Sequence, residues 1–184
     1  TENETVLVYQ KPVITAMNGS ENIDLSSDMF ISTGSDISPV FTFSGSSPLK
    51  SVVMESSLLS DLGFSSNLID IIADKQQFID KGLNVVITED KKKVTLDFGD
   101  KLNSFFEIES SYNIKFTATD TYDEISKGVS PAKTREVNWN IVVSDANVAA
   151  ISVPSDRKYE IWSDKVVFYG QNLEGKTPTE TLYF

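Results

Sequence analysis

The nine residues Tyr112 to Asp120 carry the strictest pattern in the chain. Tyr112, Ile114, Phe116 and Ala118 alternate with Asn113, Lys115, Thr117 and Thr119, and Asp120 follows. A period of two puts all four apolar side chains on one face of an extended strand, whereas on a helix they would be scattered around the axis. The same alternation recurs in Val94, Leu96 and Phe98 against Lys93, Thr95 and Asp97, and in Val137, Trp139, Ile141 and Val143. Strands with one wet and one dry face belong to antiparallel sheets stacked in pairs. A parallel sheet covered by helices on both sides needs strands that are apolar throughout.

Short runs of this kind fill the first three quarters of the chain. TVLVYQKPVITAM (5–17) is interrupted at Pro12, which suits an edge strand or a crossing between sheets. A polar stretch with turn residues at Asn18-Gly19 and Gly34 follows. PVFTFSG (39–45) and LKSVVMES (49–56) read as a pair joined by SGSSP, and LNVVITE (83–89) and KKVTLDFG (92–99) as a pair joined by a charged turn. With Tyr112–Asp120 and REVNWNIVV (135–143) these make seven strands. The expected fold is all-β, an immunoglobulin-like antiparallel β-sandwich.

One block breaks the rhythm. In NLIDIIADKQQFIDKG (67–82), Leu68, Ile71, Ile72, Phe78 and Ile79 fall at helical spacings, Asn67 with Asp70 forms a capping box, and Lys81-Gly82 reads as a helix end. The spacing predicts a helical insertion over 67–82, with shorter helical turns at 56–64 and 100–107. Residues 1–147 form the sandwich. After 148 new strands begin in ISVPSDRKYEIW, DKVVFYG and TETLYF, too short a stretch to bury a core alone. Residues 148–184 are therefore expected to be the first strands of a second β module, or strands docked on the first. Their apolar residues favour self-association through 150–184.

The chemistry available is narrow. The chain has no histidine and no cysteine, which removes the commonest general base, the usual zinc and iron ligands, and any disulfide. Its net charge of −11, from 27 acidic and 16 basic residues, repels nucleic acid. No apolar run is long enough to span a membrane as a helix. No catalytic motif stands out, so neither an enzyme nor a cofactor is expected.

The order PLKSVVMESSLLSDLGF, then LIDIIAD, KKVTLDFGDKLNSFF and YNIKFTATD, over residues 38–143, resembles the immunoglobulin-like modules of surface lipoproteins of gut Bacteroidetes. DRKYEIWSDKVVFYG (157–170) looks like the opening of the second β module that follows in many of them. The resemblance implies an exported protein, lipid-anchored at the cell surface or outer membrane. Its modules are non-catalytic and serve as spacers, in adhesion, or as support for glycan binding. The resemblance also implies that Tyr112 begins the penultimate strand with its hydroxyl bonded back across the preceding connection, and that Asp120 closes the strand.

Three groups of residues are candidates for contact with a partner. Trp162 and Tyr122 could stack on a polysaccharide or pack against another surface protein, and core packing is the competing role for both. Asp120, Asp123 and Glu124 supply the oxygens that a calcium loop uses, though without a complete calcium-loop pattern. Asn18-Gly19-Ser20 matches a glycosylation sequon and reads first as a tight turn. The alternatives to a spacer are a carbohydrate-binding module in its own right and a structural subunit, pilin-like or from a phage tail.

Overall fold

The computed structural model describes residues 10–32, 34–106, 110–122, 133–144, 150–152 and 169–171. Two five-stranded sheets dominate it. The first has the order β2-β1-β4-β8-β7, built from β2 (Glu21–Ile23), β1 (Val13–Asn18), β4 (Pro39–Ser44), β8 (Lys93–Asp97) and β7 (Asn84–Ile87). The second has the order β3-β10-β9-β5-β6, from β3 (Met29–Ser32), β10 (Thr134–Ser144), β9 (Ser111–Asp120), β5 (Leu49–Glu55) and β6 (Leu68–Asp70). Two short helices, α1 (Leu58–Asp61) and α2 (Lys75–Asp80), lie in the connections between β5 and β7. A separate pair, β11 (Ala150–Ser152) with β12 (Tyr169–Gln171), is antiparallel. The rest of 148–184, including Trp162, falls outside the described residues.

The two large sheets stack through their alternating faces. Phe41 of β4 meets Phe116 of β9 at 4.5 Å between ring centroids and Trp139 of β10 at 5.2 Å, while Phe43 meets Phe116 at 5.3 Å. All four rings are completely buried, as are Val94, Leu96, Ile114 and Ile141 from the same faces. Each such side chain contributes roughly 1.5–3 kcal/mol by leaving water, which makes this layer the principal source of stability.

Several expectations need correction. The sandwich is not wholly antiparallel: β3 runs parallel to β10, with Met29 to Ser32 opposite Ile141 to Ser144. The helix expected over 67–82 shrinks to Lys75–Asp80. Residues Leu68–Asp70 instead pair with Val53–Glu55 as an edge strand. Asp70 is no helix cap; its Oδ1 accepts the N–H of Val52 at 3.2 Å and of Ile72 at 2.9 Å, locking β6 onto β5. Pairing with β5 outweighs the local helical pattern, and Leu68 and Ile79 are left 54% and 41% exposed rather than in a buried stripe. The helix does end at Lys81, followed by Gly82 at φ +82°. Residues 100–105 form successive turns, closed by the N–H groups of Lys101, Asn103 and Phe105 on carbonyls three residues back, and no helix.

Strands β4 and β5 are not a hairpin either. They sit in different sheets, and Gly45–Pro48 crosses between them. The crossing is pinned by the N–H of Gly45 on the Lys92 carbonyl and that of Leu49 on the Lys91 carbonyl. It is also tight: a Cβ at Gly45 would lie 2.5 Å from the Ser47 carbonyl oxygen. Finally, the polar stretch after Asn18 holds two strands, β2 and β3, that its composition hides.

The arrangement fixes where the chain enters and leaves. Val13 opens β1 opposite Ser44, at the end of the sandwich that carries the Gly45–Pro48 crossing, and Leu49 there pairs with Asp120. Arg135 Nε donates to the Pro12 carbonyl at 3.2 Å, so the start of β10 lies at this end too. Ser144 closes β10 at the opposite end, beyond the residues that face Ser111 and Tyr112. The 11 residues of β10 span about 35 Å at the usual strand rise.

Candidate functional site

At the entry end, Asp120 continues the alternation of β9 one step further than its apolar residues do. Its side chain therefore falls on the dry face and is completely buried. Oδ1 accepts the N–H of Tyr122 at 3.0 Å and of Lys133 at 3.3 Å, and the Asp120 N–H donates to the Lys133 carbonyl at 3.1 Å. Thr121 adds an N–H to the Pro48 carbonyl at 2.9 Å. One carboxylate thus gathers both ends of the 121–133 connection and ties them to the crossing loop. Its second oxygen, Oδ2, is buried without a partner among the described residues, an arrangement that ordinarily costs free energy.

Tyr122 is half-buried beside this anchor, and the Lys133 ammonium lies 5.4 Å from its ring centroid, in cation–π range. That ring thus already has a cation over it. Of the candidate calcium oxygens, Asp120 has one committed to backbone N–H groups, and Asp123 and Glu124 lie outside the described residues. Among the described residues no three acids come together in a way that could hold a metal ion. Trp162 cannot be placed with Tyr122, because it too lies outside them.

At the exit end a hollow of about 660 Å³ opens among Asn18, Glu21, Asp36, Asp100 and Asn103. The sequence singled out none of them as a site. Asn18 closes β1 and accepts the Ser38 N–H at 2.8 Å; Asn103 accepts the Ile37 N–H at 3.0 Å. Both amides therefore shape the turn from β3 into β4, and the three carboxylates make the hollow acidic. Asn18-Gly19-Ser20 forms the tight turn expected of it, with Gly19 at φ +59° and Asn18 opposite Glu21.

The outward face of the first sheet is a third surface. Thr15, Thr42, Thr95 and Val86 stand in direct register across four strands, next to the exposed Val13 and Met17. The described aromatic rings of the strands are turned the other way, into the core.

Two acids in exposed turns are shifted. Hydrogen bonds from the Ser26 hydroxyl and N–H, with a further one from Ser27, hold the Asp24 carboxyl below the usual carboxylate range. The Thr88 hydroxyl and the Lys92 N–H do the same for Asp90.

Compared with protein-family models, with curated proteins and with solved structures, the chain matches none of them. Among the described residues, no helix is long and apolar enough to cross a membrane.

Proposed function

We propose that residues 10–144 are a non-catalytic, immunoglobulin-like spacer module of an exported cell-surface lipoprotein, one that holds neighbouring parts of the protein at a fixed separation. The observation that carries this reading is the placement of Pro12 and Ser144 at opposite ends of one rigid core. A module with its ends together would only decorate a chain; this one lengthens it by roughly the 35 Å that β10 spans at the ordinary strand rise.

The strand order supports the immunoglobulin-like part of the reading. Strands β1, β4, β8 and β7 follow the A-B-E-D order of that sandwich, and β10, β9 and β5 follow G-F-C. Tyr112, near the start of the F-like strand, bonds back to Phe105, as the tyrosine of that fold does. Export and lipid anchoring rest on the resemblance of residues 38–143 to Bacteroidetes surface modules.

The test replaces residues 10–144, within the protein that carries them, by an unrelated sandwich of equal end-to-end length. A spacer tolerates the exchange but not deletion. If the exchange abolishes surface binding, and residues 10–144 alone retain glycans on an array, the module is a carbohydrate-binding one instead.

A further inference from the structure

We infer that the sandwich is built to resist tension along its long axis, with the parallel pair β3·β10 as the mechanical clamp. The inference rests on the spacer reading, since only a module held by both ends feels such tension.

Force enters at Pro12 and leaves at Ser144. Pulled this way, β1 must slide along β4, and six register pairs from Val13–Ser44 to Asn18–Pro39 share the load at once. If β1 yields, the chain is next held at β3. The amino end of β3 faces the entry end and lies beside β10, whose carboxyl end is the exit. Neighbouring parallel strands pulled from opposite ends can part only by breaking all their cross-strand bonds together. Strands pulled from the same end unzip one bond at a time. The four pairs Met29–Ile141 to Ser32–Ser144 are therefore loaded in shear, as are the nine pairs that join β10 to β9.

Side chains brace the same place. Asn140 Nδ2 donates to Asp28 Oδ1 at 3.0 Å, and Asn140 Oδ1 accepts from Asn113 Nδ2 at 2.6 Å. This line of polar contacts runs from β9 across β10 to the residue just before β3.

Single-molecule pulling tests the inference, and the absence of cysteine lets handles be placed at will. Three handle pairs are needed: Lys11→Cys with Ser144→Cys along the axis, Ser27→Cys with Ser144→Cys across β3·β10 alone, and Lys11→Cys with Lys92→Cys across the first sheet from one end. Far-ultraviolet circular dichroism and a denaturant midpoint equal to those of the unsubstituted protein qualify each pair. The expected result is a rupture force several-fold higher for the first two pairs than for the third, because forced unfolding follows the unfolding barrier along the direction pulled. Axial rupture no stronger than transverse rupture would overturn the inference. So would a weak Ser27–Ser144 pair beside a strong axial one, which moves the resistance away from β3·β10. Either outcome together with a tolerated exchange of the sandwich removes the mechanical role and leaves the spacer reading in place.

Discussion

Tyr112 and Phe105 are joined across the connection between β8 and β9 by a hydrogen bond of 2.8 Å, from the phenol to the main-chain carbonyl. Phe106 packs on the same tyrosine at 5.4 Å between ring centroids. The bond ties the turns of residues 100–105 to the start of the longest-paired strand of the core. Tyr112→Phe keeps the ring and removes only the hydroxyl. It is expected to lower stability by about 0.5–1.5 kcal/mol, as loss of one hydrogen bond does. A urea midpoint shifted down with an unchanged slope is the expected readout.

Phe116 lies between Phe41 and Phe43 where the two sheets meet, and it is completely buried. Truncation leaves a cavity bounded by strands of both sheets, which cannot collapse without bending one of them. Phe116→Ala is therefore expected to cost about 3–5 kcal/mol. Phe116→Leu, which fills most of the space, should cost much less. Guanidinium unfolding of both variants checks the difference.

What could be read from the sequence follows from how local its cause is. The strands β4, β5, β7, β8, β9 and β10 announce themselves because each buries one face, and burial writes a period of two into the residues. The Gly63 and Gly82 stops are equally local, both at positive φ. The edge strand β6 was hidden because Leu68, Ile71 and Ile72 suit a helix as well as an extended segment, and only Val53–Glu55, far back in the chain, decides between them. Strand β3 was hidden for the same reason in stronger form: its partner β10 lies more than a hundred residues away and runs parallel. Asp120 was read as the end of a strand, and so it is. That its carboxylate would be completely buried, with both ends of a loop drawn to it, depends on Lys133, and no spacing signals that.

Asp120 should act as an anchor, with calcium having little effect on it. Asp120→Ala removes the acceptor shared by the Tyr122 and Lys133 amides. Hydrogen bonds to a charged acceptor contribute about 1.5–3 kcal/mol, so exchange of these two amides is expected to speed up by about tenfold or more. Amide exchange followed by NMR reads this directly. Oδ1 already accepts two N–H groups, so any calcium affinity should be no tighter than millimolar. Calcium at that level is expected to move the melting temperature by less than about 2 °C. A larger rise, reversed by chelator, would make the loop a calcium site.

The last prediction concerns acid. Asp90 closes the β7–β8 turn, where its Oδ1 accepts the Thr88 hydroxyl at 2.7 Å and the Lys92 N–H at 3.0 Å. Both bonds favour the ionised carboxylate, so its folded-state pKa lies below the ordinary value of 3.8. Between the two values the unfolded chain binds the proton and the folded chain does not, so stability rises with pH through that window. The stabilisation is fully present above the ordinary carboxylate range and is lost as pH falls through the lowered value. Asp24, held down by Ser26 and Ser27, behaves in the same sense. Asp90→Asn keeps an acceptor oxygen but cannot titrate. Its denaturant midpoint is expected to lie below that of the unsubstituted protein at pH 6, with the gap closing as the pH is taken below 4. Thr88→Val should reproduce part of the effect by removing the first of the two donors. A gap that stays constant from pH 6 down to pH 2 would show that the turn is indifferent to the charge on Asp90.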